Sequence, residues 1–515
     1  MIKKDYSSRV LMIALDGAEP RLIEQWMAEG SLPNLKRLNS NGAYGRLQST
    51  ADWLAGSPWP TFYTGTLPSE HGLYHYLQWR ADNMTLARPA PGWIAPIPFW
   101  RSLDKVRRRV ISLDVPMTLP ADPFDGIEIT GWETHDRLAP PASHPPKIIN
   151  WINQEFGPPT LSDEFFELKP VTTLLRSRDE IIQNTHHVTK VAEVLMKKED
   201  WDLFIVGFSA PHRGGHQLWD LSGTLGDAEP NEAKDFSNAL REVYVTCDTA
   251  IGRLLDKTSD GVSVLVFSLH GMGPNTSRVR LLPEMLNRVL GKHEDLPEKS
   301  KKITYLEKLF GFFPLKWRHG IKHRLSKAFQ EQLTTFFRMG RVNWSATKAF
   351  CLEADLQGYI RINLRGRETG GVVEPGEEYN ELCTKIVKGL STFVDMETKE
   401  PVVNRIIRSD QHFANGSRHD YLPDLLVSWN SSPAAKHQAV VSALYGSILW
   451  PMPGRNLDGR SGNHRPHGFI FASGKDIVPG SHITNAHILD LAPTVYSMLG
   501  LAQPSEMCGR AIFAR

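Results

Sequence analysis

The sequence predicts an α/β protein whose mainly parallel central sheet is flanked by helices on both faces. Three observations carry that expectation. Val10 to Leu15, Leu203 to Phe208 and Val262 to Phe267 are short, continuous apolar runs, the pattern of strands buried on both faces. Helical patterns at Pro20 to Glu29 and Asp235 to Asp256 lie between them, as the crossovers joining parallel strands require. Each run also breaks into polar residues: Asp16-Gly17 after the first, and segments carrying His212 and His270 after the others. Ligands of such sheets gather outside the carboxyl ends of the strands, so three distant segments are expected to converge there.

At 515 residues the chain is long for one compact domain, which implies a large catalytic domain with a substantial insertion, or two domains. Apolar residues at 41% and charged residues at 23% are ordinary for a globular protein. A formal net charge of only +2 gives no case for nucleic-acid binding. The amino-terminal segment MIKKDYSSRVLMIALDGAEP holds an apolar run of six residues ending in an aspartate, which reads as a buried strand and not as a signal peptide. No segment has the roughly 18 consecutive apolar residues of a membrane-spanning helix. Cys247, Cys351, Cys383 and Cys508 are scattered with no C-x-x-C pair, so a cytoplasmic protein with reduced thiols is expected.

Residues 283–341 differ in character. KHEDLPEKSKK and LEKLFGFFPLKWRHGIKHRLSKAF are basic and interleaved with aromatics, which predicts a helical cap inserted between catalytic segments 1–282 and 342–515. A basic amphipathic cap could make a weak contact with a membrane surface or an acidic partner, although packing on the main domain is the simpler use. After it, Gly358 to Leu364 alternates as a half-buried strand does, and Glu377 to Phe393 reads as a helix. Trp93 and Trp100 could stack on a base or sugar, with core packing the plainer use.

The candidate chemistry sits at the strand ends. Asp16 offers a carboxylate oxygen that zinc, manganese or magnesium accepts; alone, an Asp-Gly pair is also a common turn. Ser57, ahead of Pro58, suits a helix N-cap with proline at the first helical position, and a hydroxyl there can serve as a nucleophile. His212 and His216, four apart, would share one helix face and could bind one cation at about 2.0 to 2.1 Å each. His270 ends the run VLVFSLHGMG, and His464 and His467 lie in GRSGNHRPHGFIFASG ahead of another strand. An exposed loop histidine is the simpler account of His464, and convergence with the other segments is what favours a ligand role.

Taken in order, LDG, the segment ending TGTLPSEHG, the H-x-x-G-H run, S-x-HGM, N-H-R-P-x-G and the tail ILDLAPTVYSMLGLAQPSEMCGRAIF resemble the type I phosphodiesterases and nucleotide pyrophosphatases of the alkaline phosphatase superfamily. The resemblance covers most of the chain and implies an alkaline phosphatase-like sandwich. It also implies one or two metal ions, normally zinc with manganese possible, and a threonine or serine nucleophile held as alkoxide. Carried over by position, Asp16, the nucleophile and His270 would serve one metal, and His212, His216 and His464 the other. Two carboxylates of the family pattern are missing: His212 stands where an aspartate is usual, and Leu269 replaces the aspartate before His270. The nucleophile spacing lands on Ala55, so Ser57 is the expected nucleophile, with Thr61 as the fallback.

The expected function is therefore metal-dependent cleavage of a phosphodiester, pyrophosphate or phosphomonoester through a covalent Ser57 intermediate, on a small phosphate ester or nucleotide-like substrate. The alternatives are a non-catalytic or single-metal member that binds a phosphorylated ligand or partner, motivated by Leu269, and a phosphomutase-like transferase. The absence of a cysteine near Ser57 disfavours a sulfatase.

Overall fold

The structure is a computed structural model, and residues 9–90, 93, 97–120, 122–161, 166–291, 326–413 and 416–513 are described. Its centre is a nine-stranded sheet in the order Ser481–His487, Ala43–Gln48, His467–Ser473, Ser263–Ser268, Val10–Leu15, Leu203–Phe208, Val110–Leu113, Gly126–Thr130, Ala142–His144. The five strands from Ser263–Ser268 through Gly126–Thr130 run parallel to one another. Antiparallel pairing begins at His467–Ser473 on one side and Ala142–His144 on the other. The strand expected over Val10 to Leu15 has those bounds and is buried at every residue, because helices cover both faces.

One face packs against helices Pro20–Ala28, Val171–Lys198 and Pro230–Leu255, with Phe204, Val206, Val243 and Ile251 in its core. The other face holds Phe62, Trp100, Phe267, Leu269 and the carboxyl-terminal helix Leu491–Met498. Alternate residues of Val10–Leu15 feed the two cores: Leu11, Ile13 and Leu15 the first, Val10, Met12 and Ala14 the second. This is the period-2 geometry of a strand sandwiched between layers. Trp100 is fully buried and donates its indole N–H to Glu128 Oε1 at 2.7 Å, so its use is packing.

A second, smaller lobe has its own core. Helix Leu282–Val289 packs with Ile360, Ile386, Leu390, Leu425 and Trp450. Behind it lies a four-stranded antiparallel sheet in the order Ala349–Cys351, Gly358–Ile362, Leu425–Trp429, Val403–Arg408. The alternation in GYIRINL thus belongs to this lobe, whose core extends well beyond residue 341 and includes strands. Residues 292–325, most of the expected helical cap and its membrane-contact surface, lie outside the described residues; helix Lys327–Met339 closes that stretch. Among the described residues no helix is long and apolar enough to cross a membrane.

Candidate metal centre at the strand ends

Four parallel strands end at one edge and each delivers site residues there. Val10–Leu15 leads into Asp16, whose amide donates to Phe208 O at 3.0 Å. Leu203–Phe208 leads into helix Ala210–Gln217, which carries His212 and His216 one turn apart. Ser263–Ser268 leads to His270, and Gly126–Thr130 leads to His135 and Asp136. A two-stranded ribbon then sets Met272 opposite His464 in antiparallel register, which brings the His270 and His464 rings to 4.4 Å between centroids.

Close backbone approach fixes this assembly. Gly17 has φ +64, and a Cβ there would meet His212 Cα at 3.0 Å. Position 462 is tighter, since a Cβ would stand 1.9 Å from Gly215 O. Glycine at these points lets the first loop and the ribbon lie directly against the histidine helix.

The imidazoles converge. His464 Nε2 lies 3.0 Å from His212 Nε2 and 3.1 Å from His216 Nε2. His216 Nδ1 donates to Gly462 O at 3.0 Å and His270 Nδ1 donates to Gly271 O at 3.1 Å. Those bonds place the N–H on Nδ1 and leave both Nε2 lone pairs facing inward, the arrangement of metal-ligating histidines. One proton cannot satisfy three facing nitrogens, whereas one cation can. Their spacing is close to the roughly 3.3 Å that tetrahedral coordination at about 2.0 to 2.1 Å gives. The buried Nδ1 atoms of His212 and His464 have no hydrogen-bond partner, so no neighbouring group fixes their tautomers. The donor set fits a divalent cation that accepts nitrogen, such as zinc.

Charges reinforce this. Burial, followed by repulsion from neighbouring histidines, holds His212 and His464 well below the ordinary histidine value, which keeps them neutral as ligands must be. Burial alone would raise the Asp16 carboxyl, but the hydrogen bond and charge interaction with His135 lead the effects that outweigh it and hold Asp16 well below the usual carboxylate range. Asp16 Oδ1 also accepts from Trp59 Nε1 at 2.9 Å and lies 3.5 Å from His270 Nε2.

Asp16, His212, His216, His270 and His464 are therefore assembled in one place. Ser57 is not part of that wall. It occupies the N-cap position of helix Pro58–Thr64 without capping it. Its fully buried hydroxyl instead donates to Leu54 O at 2.7 Å and lies 2.6 Å from Thr50 Oγ1. The cavity beside the histidines is lined there by Ala55, Gly56 and Trp59. Thr61 is engaged elsewhere too: His71 Nδ1 accepts from Leu73 N, so His71 Nε2 donates to Thr61 Oγ1 at 3.1 Å. Leu269 is fully buried in the core beneath the site, and His467 begins a strand at the surface.

Sequence reasoning missed His135, Asp136 and Asp355, all of which line the same cavity. His135 Nε2 is 2.5 Å from Asp16 Oδ2 and its ring stacks on His212 with centroids 3.9 Å apart. Asp355 comes from the smaller lobe, where Arg460 pairs with its Oδ1, and its Oδ2 lies 3.9 Å from His464 Nε2. The adjacent His135 and Asp136 were in themselves a usable signal. Asp355 carried none.

The family model described as type I phosphodiesterase / nucleotide pyrophosphatase matches residues 10–432. Phosphonoacetate hydrolase from Sinorhizobium meliloti 1021, solved with phosphonoformate, is 10% identical, with 96% of each chain covered at a TM-score of 0.53. With phosphonoacetate it gives 11% identity, 96% of each chain and 0.53. Murine ectonucleotide pyrophosphatase / phosphodiesterase 5, as an inactive variant with AMP, gives 12% identity, 96% of each chain and 0.48. At these identities the phosphonoacetate hydrolase structures establish a shared alkaline phosphatase-like fold. No curated protein matches by sequence.

Proposed function

The chain belongs to the type I phosphodiesterase / nucleotide pyrophosphatase family, and we propose that it is a metal-dependent hydrolase of a phosphodiester, pyrophosphate or phosphomonoester bond in a small, nucleotide-like substrate. The observation that carries this reading is the convergence of three Nε2 atoms from His212, His216 and His464 beside the ionised Asp16. Asp16 and His270 would hold one divalent cation, zinc in the first instance, and His212, His216 and His464 the other. Bound there, such ions supply Lewis-acid stabilisation of phosphoryl oxygens and activation of a nucleophile.

The remaining work falls to the chain's own residues. Trp59 holds Asp16 Oδ1 in place through its indole N–H. The carbonyls of Gly462 and Gly271 fix the ring orientations of His216 and His270. A covalent route through Ser57 requires its hydroxyl to leave Leu54 O and Thr50 Oγ1, at a cost of about 1 kcal/mol for each hydrogen bond given up. Direct attack by water is the second reading, favoured by the methyl group of Ala55 where the cavity meets that segment.

Two measurements test the proposal: metal content of the purified protein, and turnover of a panel of p-nitrophenyl phosphomonoesters and phosphodiesters. Bound metal with turnover abolished by His216→Ala is expected. Metal-free protein with no turnover would overturn it in favour of a non-catalytic binder. Within an active enzyme, Ser57→Ala separates the routes, since loss of turnover with metal retained supports the covalent path and retained turnover supports water.

A further inference from the structure

We propose that His135 and Asp355, which lie outside the family-like motifs, are metal ligands that replace the two missing carboxylates: His135 beside Asp16 and His270, Asp355 beside His212, His216 and His464. The inference rests on the metal-dependent reading above. With Leu269 packed in the core, the motif residues give the first cation only Asp16 and His270, one donor fewer than the three protein ligands usual for a catalytic site. His135 makes up the number. Its Nε2 lies 2.5 Å from Asp16 Oδ2, a direct hydrogen bond that a cation would have to open toward the roughly 3.3 Å spacing of shared ligands, and Asp16, His135 and His212 each offer a ligand atom within 4.8 Å of the others.

The far side of the His135 ring is built for that role. Its Nδ1 lies 3.1 Å from Asp136 Oδ2, an ion-pair contact without hydrogen-bond alignment, so the carboxylate that would orient a ligating imidazole stands behind the ring. The segment itself is pinned, because the Asp114 side-chain oxygens accept from the amides of Trp132 and Glu133, both at 2.7 Å.

Asp355 answers the other substitution. His212 brings nitrogen where the family brings a carboxylate, so the motif residues leave the second cation with three neutral ligands. Asp355 Oδ2, 3.9 Å from His464 Nε2, is too far away to hydrogen-bond and faces the same cavity. Arg460 fixes the opposite oxygen. With Asp355 the ligand set carries two carboxylates instead of one, closer to the charge that two divalent ions need.

The test is zinc stoichiometry and affinity, read by elemental analysis and by competition with a chelating dye, on the chelator-stripped and reloaded full chain. Wild-type protein is expected to hold two zinc ions. His135→Ala should hold one, and Asp355→Asn should bind one of its two ions at least tenfold more weakly. His135→Asn, whose amide still donates to Asp16, replaces the alanine variant if that fails to fold. If the variants keep wild-type stoichiometry and affinity while His216→Ala loses zinc, the inference falls and the metal-dependent reading stands. If wild-type protein takes up no zinc, both fall.

Discussion

Gly462 shows how much of this site depends on one missing methyl group. Its Cα hydrogen faces Gly215 O so closely that an added Cβ would sit 1.9 Å from that oxygen. Both partners are backbone, so neither can rotate away. In Gly462→Ala the ribbon must lift from the histidine helix, taking His464 with it and breaking the His216 Nδ1 to Gly462 O bond. Overpacking of this kind destabilises by about 1–3 kcal/mol. The variant is expected to show that loss in urea unfolding, together with loss of zinc from the His212, His216 and His464 set. Unchanged zinc affinity would show that the ribbon's position is not what places His464.

At the scale of elements, the segment after Gly126–Thr130 carries a titratable clamp. Burial pushes the Asp114 carboxyl up from 3.8 to about 7, against the two amide hydrogen bonds that favour its ionised form. The folded state therefore keeps this proton longer than the unfolded chain does. The stability contributed is fully present below about pH 4 and is lost as pH rises through about 7. Asp114→Asn stays neutral throughout, so the melting temperature of the variant relative to wild type should rise between pH 4 and pH 8. Parallel curves would remove the clamp's titration from the account. The same element explains what the sequence could and could not tell. Val10–Leu15 and Leu203–Phe208 were legible because strands buried on both faces must be apolar throughout. Gly126–Thr130 is equally buried, yet it holds Glu128, neutralised by Arg101 and bonded to Trp100. That buried charge interrupts the apolar run, so the strand and the His135 at its end went unread. Ser57 was read correctly as an N-cap position, but its hydroxyl direction is set by Leu54 O and Thr50, a matter of side-chain rotation that spacing does not encode.

For the whole molecule, the cavity is lined from two lobes with separate cores, and only their assembled form brings Asp355 to the histidines. Asp355 belongs to a loop between strands of the smaller lobe, while Arg460, which grips it, precedes the ribbon carrying His464. Local sequence pattern cannot report such a pairing, because residues 355 and 464 become neighbours only through tertiary packing. An ion bound across this junction stabilises the native arrangement by mass action, and free zinc at 100 times its dissociation constant contributes about 2.7 kcal/mol per site. Calorimetric scans in zinc and in chelator should therefore differ, with the chelated protein melting several degrees lower. In His216→Ala that difference should shrink, because one ion no longer has its ligand set. In Asp355→Asn the zinc-dependent shift should also shrink, and the chelated protein should itself melt below chelated wild type, because Arg460 loses a charged partner. A zinc-dependent shift of full size in both variants would place the stabilising ion elsewhere on the chain. A shift lost in His216→Ala but intact in Asp355→Asn would confine the metal centre to the larger lobe.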